Sequence, residues 1–446
     1  MTVDEGQPQS PTQALDPAEK RRLGRRVYAA SFIGTTVELF DFILYGLSAA
    51  IVFPAVFFAG TSPAVGTVFS FATLAVGYAA RPLGGLIAGH FGDKYGRKVV
   101  LIWTMSMMGA ATCLVGLLPG SASIGNWAPI LLITLRVIQG LAAGGEWGGA
   151  ILMSVEHASE GKRGLFSSAA VVGGGAGVFL AYLAFDLLGF LSDDQFMSFG
   201  WRIPFVASIL LIAVGLFVRL RVSESPVFLE ESEQRREVRG WRQLPLFELF
   251  RAEPARACAA ILIYAGPFMA QALLSTYVIT WAITKFGFAR QTFLGALIPA
   301  LAIMVVALFF YGWLSDKVGR RIIYIPAAIA WAVFYVFVFP MAETGDPLTL
   351  FFLFLIGMAI LNGATNGVVG AILSEIFPTR YRYTGSSVAY QFSGLIGGGL
   401  GPLFAALFIG WGWDTTSIVI MVGVTCLVSA IVCATFGDTR KRDIRA

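Results

Sequence analysis

The sequence predicts an all-α polytopic membrane protein whose twelve transmembrane helices form two six-helix pseudo-repeats. Three observations carry this. The 446-residue chain is 57% hydrophobic and only 13% charged, with a mean hydropathy of +0.74, whereas a soluble domain carries about a quarter charged residues. Twelve apolar runs recur along it, each close to the roughly 20 residues a helix needs to cross a bilayer. A short polar signature also occurs twice, at the same place in each half.

Residues 1–26 are polar and rich in Pro, Gln and Asp, which predicts a disordered tail and not a cleaved signal. The apolar spans follow at 27–58, 64–89, 99–119, 127–156, 164–191 and 201–221, then at 256–284, 291–313, 322–341, 348–376, 383–410 and 415–436. The N-terminal bundle covers 27–221 and the C-terminal bundle 256–437, with a polar linker at 222–255 and a second tail at 438–446. The mixed charges from Glu230 to Arg242 in the linker fit a solvated helix along the cytoplasmic face. The spans do not alternate and are about twice the length of a barrel strand, which excludes a β-barrel.

Basic residues set the orientation. With the N-terminus inside, 27 of the 32 Lys and Arg residues fall in cytoplasmic segments, Arg202, Lys285 and Arg290 fall outside, and Arg81 and Arg136 lie within helices. This asymmetry places both termini in the cytoplasm of a multi-pass inner-membrane protein. It also accounts for the net charge of +5 without a nucleic-acid partner. Cys113, Cys258, Cys426 and Cys433 stand singly in apolar runs, with no Cys-x-x-Cys and no nearby His, so neither disulfides nor a metal centre is expected. Gly-x-x-x-x-Gly-Lys-Ser/Thr is absent, which excludes a nucleotide loop as the energy source.

The duplication is explicit. Between its second and third spans the first half reads Gly89-His-Phe-Gly-Asp93-Lys-Tyr-Gly-Arg97-Lys98, and the second reads Gly312-Trp-Leu-Ser-Asp316-Lys-Val-Gly-Arg320-Arg321. A second echo pairs Glu156 and Arg163 with Glu375 and Arg382. Two six-helix repeats meeting at a midplane cavity are a layout for alternating access.

The paired signature resembles that of the major facilitator superfamily. More narrowly, the chain is similar to its metabolite:proton symporters, whose relatives carry citrate, 2-oxoglutarate, shikimate, proline and betaine. The supporting segments run from Glu38 to Gly46, Ala80 to Gly85, Arg136 to Glu146, Glu224 to Phe228 and Glu375 to Gly385. The resemblance implies proton-coupled import of a small organic acid or zwitterion by a monomer, with the proton as coupling ion, no cofactor and no enzymatic activity. The alternative is a proton antiporter exporting drugs or metabolites. Helix 5 lacks the Gly-Pro run expected of such exporters, reading Val172-Gly173-Gly174-Gly175-Ala-Gly177; a similar run occurs at Gly399-Leu-Gly401-Pro402.

An ionisable side chain deep in a bilayer is costly unless paired or hydrated, which makes each one a functional candidate. These are Glu38, Asp41, Arg81, Arg136 and Glu146, all in the first half. At about 1.5 Å per residue, Asp41 and Arg136 fall near the midplane, while Glu38, Arg81 and Glu146 lie lower. Asp41 with Arg136 is the expected proton-coupling pair, assisted by Glu38 and Glu146; the other reading is a permanent ion pair fixing helix 1 to helix 4. Arg81 offers a planar fork for a substrate carboxylate, or else a structural partner for Glu38 or Glu146. The resemblance places the cavity among helices 1, 4, 7 and 10 with 2, 5, 8 and 11. Tyr45, Gln139, Tyr264, Gln271, Asn362, Asn366, Tyr390 and Gln391 are therefore its uncharged candidate contacts. Asp93, Arg97, Asp316 and Arg320 are expected to gate, each aspartate facing the N-terminus of a neighbouring helix.

Overall fold

In the computed structural model, residues 17–95, 97–144, 163–221, 245–378 and 382–436 are described. The long helices of the first half are α1 (Pro17–Ile51), α2 (Pro63–Tyr95), α3 (Arg97–Leu117), α4 (Trp127–Ala143), α5 (Arg163–Asp186) and α6 (Arg202–Arg221). Those of the second half are α7 (Pro254–Phe286), α8 (Arg290–Val318), α9 (Arg320–Glu343), α10 (Pro347–Ile376), α11 (Thr384–Gly410) and α12 (Thr415–Thr435). No strand occurs among the described residues. Large apolar side chains such as Trp103, Phe190, Leu210, Val306, Ile322 and Ile431 point outward, as a lipid-facing belt requires, while the intramembrane charges face inward.

Local chemistry sets the helix ends. The apolar run expected to reach residue 58 breaks after Ile51, and a separate short helix, Phe53–Phe57, begins with Pro54 in its first turn. Proline has no N–H to continue the preceding helix. Asp346 and Asp414 cap α10 and α12, accepting the Thr349 and Thr416 amides at 2.8 and 2.9 Å. Gly287 ends α7 in the left-handed region at φ +69°. Inside α7, Pro267 cannot donate to Ile263; the Tyr324 hydroxyl donates to that carbonyl instead. Neighbouring side chains must satisfy freed backbone groups where water is excluded. Turns of π-helix interrupt α7 at Leu273–Tyr277, α10 at Leu355–Asn362 and α11 at Leu395–Leu400.

Packing repeats with a shift of six helices. In the first half α1 packs on α5, α2 on α4, and α6 on α3 and α1. In the second half α7 packs on α11, α8 on α10, and α12 on α9 and α7. The halves meet along α5–α8 and α2–α11, which the same shift interchanges. The close approach of α1 and α5 depends on glycine: a Cβ on Gly173 or Gly177 would stand 2.3 Å from the Phe32 or Thr36 carbonyl oxygen. Such small-residue contacts are how helices approach closely in lipid.

Candidate functional site

One face of α1 presents Glu38, Asp41, Phe42 and Tyr45, spaced so that they stack over successive turns. Glu38, Asp41, Arg81 and Arg136 are all at most 2% exposed. Arg81 of α2 pairs with Glu38 at 3.3 Å. Phe42 adjoins both arginines, their guanidinium carbons lying 3.5 Å (Arg81) and 3.9 Å (Arg136) from its ring centroid. Tyr45 takes a second face of Arg136 at 4.0 Å and donates its hydroxyl to Thr73 at 2.8 Å. Aromatic rings attract cations through their electron-rich faces, so these rings offset part of the cost of burying two guanidinium groups.

The expected direct contact between Asp41 and Arg136 is corrected by the structure, which places two neutral side chains between them. Thr112 of α3 donates to Asp41 Oδ2 at 3.0 Å, Gln139 donates to Thr112 at 2.7 Å, and Arg136 makes a long contact with Gln139 at 3.4 Å. A side chain on α3, which was not among the expected cavity helices, thus links α1 to α4. Sequence reasoning missed Thr112 because one threonine in an apolar helix normally bonds its own preceding turn. Thr112 does that too, with Met108 O at 2.9 Å. Glu146 lies outside the described residues.

A cavity of about 40 Å³ lies between the halves, bordered by α1, α5, α7, α8, α10 and α11. Five candidate contacts line it: Tyr264, Gln271, Asn362, Asn366 and Tyr390. Tyr45, Arg81, Gln139 and Gln391 do not border it; Gln391 donates instead to the Gly144 carbonyl across the interface at 3.2 Å. Phe268 completes an aromatic wall with Tyr264 and Tyr390, at centroid distances of 5.2 and 5.9 Å. Tyr78 sits behind that wall, 6.2 Å from Phe268 and 4.9 Å from Phe42, and connects the cavity to the arginine layer. The Tyr264 hydroxyl donates to Asn366 at 2.7 Å.

Both ends of the cavity are fastened. At the start of α5, Asp316 accepts the Gly164 and Leu165 amides at 2.9 and 3.0 Å, where a carboxylate favours the helix dipole. Arg320 holds that carboxylate at 2.8 Å and Glu375 at 3.3 Å. It therefore pairs within its own half, not across the interface. The approach is tight, since a Cβ on Gly164 would stand 2.6 Å from the Gly312 carbonyl oxygen. The side chains of Asp93 and Arg97 lie outside those described. At the other end, Tyr182 of α5 donates to the Ser275 carbonyl in the α7 π-turn, and the Arg290 guanidinium lies 3.7 Å from the Phe196 ring. A cavity of this size admits a few waters and no metabolite.

Two six-helix repeats, a buried charge layer and a central cavity between them define a multi-pass membrane protein with a transporter fold. Residues 31–310 and 296–445 match the family model of the Major Facilitator Superfamily. The chain is 37% identical to the shikimate transporter of Escherichia coli (strain K12), over 99% of both chains. It is 38% identical to the inner membrane metabolite transport protein YhjE of the same organism, over 85% of this chain and 87% of that one. It is 30% identical to the proline/betaine transporter of Salmonella typhimurium, over 94% of this chain and 85% of the relative. The crystal structure of a D-xylose-proton symporter shares the fold at a TM-score of 0.69 and 16% identity, over 93% and 98% of the two chains. This chain belongs to the Major Facilitator Superfamily and, within it, to the metabolite:proton symporters.

Proposed function

We propose that the protein imports a small organic acid or zwitterion together with a proton across the inner membrane, by alternating access. The observation that carries this reading is Asp41, fully buried and held in a hydrogen-bonded chain that ends on Arg136. A carboxylate so placed can take up a proton and so remove a charge from the interface that must close. The substrate lies in the central cavity in this reading. Its apolar body rests on Tyr264, Phe268 and Tyr390, and its hydroxyl or amine groups meet Gln271, Asn362 and Asn366. Arg81, one aromatic layer away, supplies attraction for a carboxylate. Likeness to transporters named for shikimate and for proline and betaine supports this class of solute. The Asp316 end is the cytoplasmic one by the distribution of Lys and Arg, each monomer carries a complete pathway, and no cofactor or enzymatic step is involved.

The test is uptake into proteoliposomes under an imposed inward proton gradient, with labelled shikimate, citrate, proline and glycine betaine. One of these should accumulate, and an uncoupler should abolish the accumulation. Gradient-driven expulsion in place of accumulation would establish the antiporter reading instead.

A further inference from the structure

The chain between Asp41 and Arg136 contains a hydroxyl with more acceptors than protons. Thr112 Oγ1 lies 3.0 Å from Asp41 Oδ2 and 2.9 Å from Met108 O, and accepts from Gln139 Nε2 at 2.7 Å. A threonine hydroxyl has one proton to donate and two lone pairs with which to accept. It can therefore satisfy one acceptor or the other, never both. We infer that Thr112 is a positioning residue for proton loading, a two-way hydroxyl whose orientation follows the charge of Asp41. This rests on the reading of Asp41 as the proton carrier.

Two arrangements follow, and both keep Asp41 Oδ2, Thr112 and Gln139 bonded to one another. With Asp41 ionised, the Thr112 hydroxyl donates to Asp41 Oδ2 and Gln139 donates to Thr112. When a proton adds to Oδ2, the new carboxylic O–H donates to Thr112 Oγ1, and the Thr112 hydroxyl turns to the Met108 carbonyl. Gln139 keeps its bond throughout. One proton is gained at Asp41, one hydroxyl rotates, and no other bond to hydrogen breaks. Without Thr112, Asp41 would lose this bond in both states, with the greater loss in the ionised state because charge-assisted bonds are the stronger. Among the described residues, the charged and titratable groups of the layer that holds Asp41 include Glu38 and Tyr45 on α1, Arg81 and Tyr78 on α2 and Arg136 on α4. Of the helices packed against α1, α5 and α6 bring no charge to this depth.

Infrared difference spectroscopy on the full chain in lipid nanodiscs tests this without any substrate. Titration with acid should raise a carboxylic C=O band that Asp41→Asn removes. Thr112→Ser, which keeps the hydroxyl, should leave that band in place. Thr112→Val and Thr112→Ala should move it to higher frequency, because the carboxylic O–H loses its acceptor, and raise its midpoint by about one pH unit. If the Asp41-dependent band keeps its frequency and midpoint in both hydroxyl-free variants, the inference about Thr112 is wrong while Asp41 remains the carrier. If Asp41→Asn removes no band, both readings fall together.

Discussion

Asp316 of α8 caps the first turn of α5 in the opposite half, its Oδ1 2.9 Å from the Gly164 amide nitrogen. Tyr182, toward the far end of α5, donates to the Ser275 carbonyl of α7. One helix of the first half is thereby fastened to the second half at both ends. Opening either side of the cavity requires breaking one fastening while the other holds, so the two should have opposite effects when removed.

Replacing Asp316 with Ala leaves two α5 amides uncapped and takes one of two carboxylates from Arg320. Loss of such a cap costs about 0.5–2 kcal/mol, enough to shift the population several-fold toward opening at this end. Spin-label distances between α5 and α8 near Gly164 and Gly312 should broaden to longer values. An unchanged distance distribution would mean that the capping bond does not hold the closed state.

Tyr182→Phe removes one buried interface hydrogen bond and little volume. A bond of this kind contributes about 0.5–1.5 kcal/mol, so opening should increase roughly two- to tenfold, this time at the α7 π-turn end. The combined variant with Asp316→Ala should restore the balance between the two openings. If Tyr182→Phe instead opens the Asp316 end, the two-fastening account fails.

Asp41→Asn should abolish gradient-driven accumulation yet retain substrate exchange across equilibrated membranes, because the amide keeps its size and its bonding to Thr112. Full active uptake by this variant would remove Asp41 from the coupling step.

The Glu38–Arg81 pair is buried on both sides. Removing one partner of a buried pair costs about 3–5 kcal/mol, whereas replacing both with apolar residues is nearly neutral. Arg81→Leu should therefore lower the thermal midpoint in detergent sharply, and Glu38→Leu with Arg81→Leu should recover most of it. If the double variant is stable but no longer takes up substrate, Arg81 acts on substrate as well as on Glu38. If Arg81→Lys transports normally, bidentate carboxylate binding at Arg81 is excluded.

Gly177→Ala places a methyl group 2.3 Å from the Thr36 carbonyl oxygen, while Gly423→Ala meets nothing within 4 Å. Overpacking costs about 1–3 kcal/mol, and alanine at an open helical position is favourable by up to about 1 kcal/mol. Thermal melting should show the first variant destabilised and the second unchanged or slightly raised. Equal melting temperatures would mean that α1 and α5 can separate without loss.

The twelve helices, their pairing into halves and the burial of Glu38, Asp41, Arg81 and Arg136 were legible from the chain itself, because a bilayer accepts only long apolar helices and penalises every unpaired charge. The duplicated loop also marked Asp316 as a residue facing a helix N-terminus. Partners across the bundle were not legible. Spacing along α1 put Glu38 and Asp41 on one face, and depth put Asp41 level with Arg136. Neither could show that α3 would insert Thr112 between them, that Phe42 would serve both arginines, or that Arg320 would turn back to Glu375.

Local sequence thus determined which segments cross the membrane and which side chains are too polar to face lipid, since both follow from transfer of single residues out of water. Which of those side chains touch depends on how helices far apart in the chain rotate and pack. Glycines at the α1–α5 and α5–α8 crossings set that packing, and only the tertiary structure decides it.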